Sequence, residues 1–388
     1  PTAPCLAPRA RPTRPWARAW CLPKALAPLT STPVDPGSRC YRMPPHRLRP
    51  LDLQHGVVEL AHGSGGRATH QLIVELFQRH FGSPQLAAGH DAGILPPPSG
   101  RLAVSTDCFV VSPLFFPGGC IGDLAVHGSI NDVAMAGAQP LGLTVGFVLE
   151  EGFPLAQLDR IAAAVGCACE RAAVPVISGD TKVVERGKAD GVFICTTCVG
   201  IVPSAVHIAP DRAGPSDVIL VSGTIGDHGT AILSQREGIA FETDIVTDSA
   251  PLHTLVAAML DADPDLHVLR DPTRGGVAAA LNEIAASAQV GMQLDEAAIP
   301  VHPAVRSACD LLGLDPLHLA CEGRLLAVCD TRSAARVLAK MQAHPLGRNA
   351  AVIGQVVSDP LRFVELRTPY GGRRILDWPA GEQLPRIC

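Results

Sequence analysis

Apolar and polar positions along the chain switch between two periods. In "ATHQLIVELFQRHF", Leu72, Leu76 and Phe77 recur at helical spacing before a "GSP" stop, which predicts a helix ending near Phe81. "HGVVELAH", just upstream, is a β-like run leading into a glycine turn at residues 63–66. "RLAVSTDCFVV" is short, β-branched and apolar and reads as a strand. "IGDLAVHGSINDVAMAGAQP" reads as a helix closed by Gly137 and Pro140. Strand, helix, strand, strand follow in "LGLTVGFVLE", "PLAQLDRIAAAVGCACERAA", "VPVISGD" and "ADGVFICTTCVGIV".

A second unit opens near residues 211–229, where Pro and Gly mark a linker and "DVILVSG" a new strand. The helix "GGVAAALNEIAASA", the strand "LLAVCD" and the helix "SAARVLAKMQA" continue it. After Trp378 the chain is polar and contains proline, which predicts a mobile tail over 379–388 ending on Cys388. No internal repeat is visible. The pattern predicts a mixed α/β protein with an extension over residues 1–52, domains at 53–205 and 206–378, and that tail.

Composition agrees with this division. A chain of 388 residues, 47% hydrophobic and 18% charged, is too long for one compact core. A net charge of −5 argues against a nucleic-acid or anionic-membrane surface. No run of 18 apolar residues exists to span a bilayer. Thirteen cysteines at irregular spacings point to a reducing cytosol rather than a disulfide framework. The first 42 residues, rich in Pro, Arg and Ala, lack the apolar stretch of a secretory signal. They are expected to be an upstream extension, with Met43 the natural start.

No P-loop is present. Gly63, Gly65 and Ala68 fit G-x-G-x-x-A, a weak match. A loop of Gly63, Ser64, Gly65 and Gly66 feeding a helix can wrap a phosphate with its amides, or be a plain turn. Asp91, Asp107, Asp132, Asp180 and Asp271 each follow a turn or strand end among small or apolar neighbours. Each alone could be a cap or turn residue. If they converge, a cation must hold them, and all-oxygen ligation suits Mg2+. Lys182 shares a strand face with Asp180, and Arg274 precedes Gly275 and Gly276 at a helix start, where free N–H groups attract anions. Carboxylates, Lys, Arg and amide donors together describe a nucleoside triphosphate site. Cys195 and Cys198 form C-x-x-C inside a strand, so they face opposite ways and chelate poorly. Cys167 and Cys169 read as core fillers and His127 as a packed residue.

"HGSGG", "STD", "PLFFPGG", "IGDLAVHGSINDVAMAGAQP", "GFVLEEG", "GDTKVVERG", "VSGTIGDHG", "RDPTRGGV", "ACEGRLL", "HPLG" and the closing "LPRIC" occur in order over residues 53–388. In these the chain resembles the HypE family of hydrogenase maturation proteins, within the aminoimidazole ribonucleotide synthetase (PurM-like) superfamily. The resemblance implies a two-domain PurM-like α/β fold, a homodimer formed through a β-barrel, and ATP in the cleft between the domains. It implies that Cys388 receives a carbamoyl group from the carbamoyltransferase HypF. ATP-dependent dehydration then gives a thiocyanate, and the cyanide passes to iron on a HypC–HypD complex. On that reading Asp91, Asp107, Asp132 and Asp271 hold Mg2+, while Lys182 and Arg274 stabilise the transferring phosphoryl group. Glu322 accepts the proton, or serves as a cap or salt-bridge residue. Gly63, Ser64, Gly65, Gly66, Asp107, Asn131, Asp180, Lys182, Gly275 and Gly276 bind the nucleotide, with Asp180 also able to orient Lys182. The rivals are a thiamine-monophosphate kinase or selenophosphate synthetase type of enzyme, or a non-catalytic maturation scaffold. A selenophosphate synthetase would want Cys and Lys in the glycine loop, and "AHGSGGRAT" has neither.

Overall fold

The computed structural model describes residues 49–88, 92–238, 245–379, 384 and 386–388. Asp91 and most of the predicted extension lie outside the described residues. Residues 50–388 form one compact unit built on two sheets.

The first sheet has four strands: β1 (Arg101–Phe109), β2 (Gln139–Glu150), β3 (Val176–Val184) and β4 (Val192–Val202). Their spatial order is β1-β4-β2-β3, with β2 and β3 parallel and the other neighbours antiparallel. One face is covered by helices α1 (Ile121–Met135) and α2 (Leu155–Ala172). In β4 the residues alternate between buried and half-buried along the whole strand, the period of a sheet packed on one side. The other face carries Leu102 and Val104, 56% and 62% exposed.

The second sheet has seven strands: β5 (Val218–Val221), β6 (Val268–Arg270), β7 (Gly291–Asp295), β8 (Leu326–Cys329), β9 (Ala351–Val357), β10 (Val364–Arg367) and β11 (Arg373–Ile375). Its order is β11-β10-β7-β9-β5-β8-β6. Helices α3 (Asp227–Glu237), α4 (His253–Ala262), α5 (Gly276–Ala288), α6 (Pro303–Leu312) and α7 (Thr331–Ala343) belong to this half. β8 is fully buried and β5 is buried from Ile219 on, so both read as continuous apolar runs with both faces covered.

Predicted and observed elements differ at the start. "HGVVELAH" makes only one β-bridge, Val57 to Pro154, and then a short helical turn at Leu60–Gly63. Of the pair predicted as core fillers, Cys169 is buried and Cys167 exposed, because positions two apart on α2 point to different sides.

Candidate active site

A cavity of about 270 Å³ opens where the two halves meet and is lined by Asp107, Asp132, Asp271, Arg274, Glu322 and Cys388, together with Cys108. Each half contributes. Asp107 comes from β1 and Asp132 from α1. Asp271 follows β6, Arg274 precedes α5, and Glu322 lies before β8.

Local packing aims these groups. Asp107 points toward α1, where the Ser129 hydroxyl donates to it at 3.0 Å. The Ser105 hydroxyl, two residues earlier on the same face, donates to Asp132 at 2.5 Å. Gly276 stands at a positive φ of 61°, and a Cβ there would fall 2.6 Å from the carbonyls of Leu317 and Leu319. Gly275, at φ 76°, would bring a Cβ 2.7 Å from that of Ala279. Glycine at these positions lets α5 begin against the 317–319 loop and sets Arg274 at the cavity mouth.

The acids crowd one another. Burial, then the charge of Asp132, pushes Asp107 up to about 6. Burial and Asp132 push Asp271 up to about 7. Glu322 is held well above the carboxylate range by burial, then by Asp271. Its Oε1 is buried with no hydrogen-bond partner among the described residues. No cap or salt bridge to its carboxylate is seen among them, which removes the structural role offered for it from sequence. Among the described residues no three acids, histidines or cysteines close on a single point. What is formed is a shared excess of negative charge on oxygen donors, which fits a hard divalent cation that keeps part of its water shell.

The tail enters this cavity. Val110 N–H donates to a terminal carboxylate oxygen of Cys388 and Ser112 N–H to the carbonyl of Arg386, each at 3.1 Å. His228 Nε2 bonds the Ile387 carbonyl at 2.9 Å, and Arg236 donates to the Arg386 carbonyl at 3.0 Å. Arg386 pairs with Asp190. Ile387 is 4% exposed and packs in the core of the first half. Sequence reasoning missed His228, Arg236 and Asp190. "VSGTIGDHG" stood out only as one of the stretches carrying the family resemblance, whereas its histidine grips the tail.

Other residues assigned from sequence fall elsewhere. Asp107, Thr196, Val145 and Gly179 are successive partners across the sheet, and so are Cys108, Cys195, Gly146 and Asp180. Asp180 and Lys182 thus leave the face opposite to Asp107, at the far edge of the sheet. They pair with each other at 2.8 Å, largely exposed. The glycine loop lies against them, since a Cβ on Gly63 would fall 2.6 Å from Val183 N. There Ser64 Oγ donates to the Ala61 carbonyl, Gly65 N–H donates to Thr69, and Gly66 leads into the helix Arg67–Leu72. Within one chain this group does not meet the acidic cavity. Asn131, expected to bind nucleotide, is buried and spent on protein: its amide donates to the carbonyls of Ala250 and Glu322 and accepts from Leu252 N–H. It positions Glu322 instead. His127 is packed as expected, with burial lowering its pKa to about 3.

Two family models match the chain: the AIR synthase related protein N-terminal domain over residues 89–202, and the C-terminal domain over 214–366. Carbamoyl dehydratase HypE of Azotobacter vinelandii is 59% identical over 87% of this chain and 99% of its own length. The Escherichia coli carbamoyl dehydratase HypE is 46% identical over 85% and 99%. A crystal structure of hydrogenase maturation protein HypE in complex with ATP superposes with a TM-score of 0.82 at 48% identity, over 85% of this chain and 99% of that one. A HypE–HypF complex structure gives 0.71 at 43%, over 79% and 99%. A thiamine-monophosphate kinase, 21% identical with a TM-score of 0.58 over 81% of this chain and 98% of its own, shares the fold alone.

Proposed function

The chain belongs to the HypE family of AIR synthase related proteins, and from that membership we infer how Cys388 and the acidic cavity carry out the family's reaction. The protein is an ATP-dependent carbamoyl dehydratase. It converts an S-carboxamide on its own terminal cysteine to a thiocyanate, a source of cyanide ligands for the iron of nickel–iron hydrogenase.

The carrying observation is that Cys388 shares one cavity with Asp107, Asp132, Asp271, Arg274 and Glu322. A carboxamide oxygen leaves poorly, so it has to be phosphorylated first, and it then departs as phosphate while nitrogen loses its protons and the nitrile forms. Val110, His228 and Ile387 hold the tail so that the carboxamide enters the cavity. Arg274 stabilises charge on the transferring phosphoryl group. Glu322, buried and without a partner at Oε1, is a strong acceptor once ionised and takes a proton from the carboxamide nitrogen. Mg2+ held by Asp107, Asp132 and Asp271, with Asp91 retained on sequence alone, would neutralise the phosphate oxygens.

We place the remaining nucleotide contacts on a homodimer. The outer edges of β1 and β3 are unpaired among the described strands, and the sheet face away from α1 exposes Leu102 and Val104. Two copies joined β1 to β3 about a two-fold axis close an eight-stranded barrel and bury the Leu102 and Val104 end of that face, leaving the Cys108 end open toward the cavity. The same pairing sets β3 of the partner subunit, with the partner subunit's Lys182 and glycine loop, along the β1 edge that carries Asp107. The carbamoyl group comes from the carbamoyltransferase HypF, a relative of this chain having been solved in complex with HypF. The cyanide goes to a HypC–HypD iron complex in a reducing cytosol.

Mass spectrometry of the C-terminal peptide tests this reading. With carbamoyl phosphate, the carbamoyltransferase and MgATP, an adduct of about +43 Da on Cys388 should become one of about +25 Da. An adduct that stays at about +43 Da with MgATP present would sink it.

A further inference from the structure

Two thiols beside the carrier have no task in the dehydration. Cys108 follows Asp107 in β1 and lines the same cavity as Cys388. Cys195 is its direct partner across the strands, on β4. Both leave the sheet on the face away from α1, because their neighbours Asp107 and Thr196 take the α1 face. Directly opposed Cα atoms on antiparallel strands lie roughly 4.5–5.5 Å apart, within the range a disulfide spans. The Cys195 thiol is raised in pKa by burial first and then by the Cys108 sulfur beside it. Cys198 is excluded, being buried on the opposite face. The hydrogen bond from Val110, two residues beyond Cys108, draws Cys388 to this end of β1. Leu102 and Val104, which the proposed homodimer buries, lie toward the other end.

We propose that Cys108 and Cys195 form a discharge pair that empties S-cyano-Cys388 and releases cyanide when no metal acceptor collects it. The inference rests on the dehydratase reading, since that activity puts the nitrile on Cys388. The Cys108 thiolate attacks Cys388 Sγ. A sulfur–sulfur bond forms, the sulfur–carbon bond breaks, and cyanide leaves with the bonding pair and takes up the proton Cys108 gave away. The sulfur of a thiocyanate is already at the oxidation level of a disulfide sulfur, so no outside oxidant is needed. Cys195 then attacks Cys108 Sγ, the Cys108–Cys195 bond forms, the Cys108–Cys388 bond breaks, and Cys388 departs as a thiol with the proton from Cys195. One thiocyanate and two thiols give one disulfide, one thiol and one hydrogen cyanide.

The test uses the full chain, cyanylated through its own reaction and then freed of small thiols and of any iron complex. In the wild type the adduct of about +25 Da should decay at a rate independent of protein concentration. Cyanide should appear in equal amount, and a non-reducing peptide map should show Cys108 joined to Cys195. Cys108→Ser should form the adduct and hold it ~10-fold longer or more, and Cys195→Ser should stop with Cys108 joined to Cys388. Equal decay in Cys108→Ser and wild type, or decay without either disulfide, overturns the proposal. Absence of the adduct from every variant overturns the dehydratase reading and this proposal with it, whereas an adduct that forms but decays without Cys108 overturns this proposal alone.

Discussion

The N–H of Val110 donates to a terminal carboxylate oxygen of Cys388 across 3.1 Å, so the chain's last residue lies antiparallel beside the segment that follows β1. Together with the contacts to Arg386 and Ile387, this reads the tail by its backbone, one apolar side chain and the Arg386–Asp190 pair, and leaves the sulfur to the cavity.

Ile387 is the apolar anchor. Its full burial is worth about 1.5–3 kcal/mol, so Ile387→Asp should weaken docking by ~10- to 100-fold or more. Hydrogen exchange at Val110 and Ser112 should quicken. The carbamoyl adduct should still form on Cys388, while its conversion to the nitrile slows.

Asp132 raises the pKa of both Asp107 and Asp271, so its charge is a strain in the unliganded protein. Asp132→Asn should raise stability by about 1 kcal/mol, seen as a Tm higher by roughly 2–4 °C without nucleotide. The same variant should lose ATP-dependent dehydration. A lower Tm in calorimetry would contradict the assigned repulsion.

Glu322→Gln keeps the size of the side chain and removes its basicity. The variant should fold normally and accept the carbamoyl group. The C-terminal peptide should then stay at about +43 Da with MgATP present, because no group takes the nitrogen proton.

The tail should respond to acid through His228. A carbonyl only accepts, so the neutral ring donates from Nε2 to Ile387 and accepts from Thr247 at Nδ1. Burial lowers the docked pKa from 6.5 to about 4. Above pH 6.5 the ring is neutral whether the tail is docked or not, and docking is at full strength. Undocking lets water reach the ring, so as pH falls from 6.5 toward about 4 the undocked form is protonated first and docking weakens. Hydrogen exchange at Val110, corrected for intrinsic rates, should show this slope, and His228→Asn should flatten it.

Subunit mixing tests the shared site. Lys182→Ala and Asp132→Asn chains are each expected to be inactive. Mixed and re-equilibrated, about half the dimers are heterodimers with one intact site, giving about a quarter of wild-type activity. No recovery would contradict a site shared between the subunits.

Elements with a clean period were legible in the sequence. β1, β4, α1 and α2 fall where the apolar spacing puts them, because each buries one face against a neighbouring layer. "HGVVELAH" was not: it is apolar enough for a strand, but Val57 makes only an isolated bridge to Pro154, outside any strand, and the run turns helical at Leu60. At the site, Asp107, Asp132 and Asp271 were visible as acids in apolar surroundings. Asn131 was assigned to the nucleotide from the resemblance, yet three backbone groups claim its amide. The separation of Lys182 from Asp107 was invisible because strand order is set by tertiary pairing. His228 could not be assigned, since its partner lies 159 residues away.

The docked terminus also limits how the protein can be handled. Any residue appended after Cys388 would have to occupy a space of about 270 Å³ already lined by four carboxylates. A purification handle at that end would block the cavity or hold the tail out of it, so affinity sequences belong at the other end of the chain.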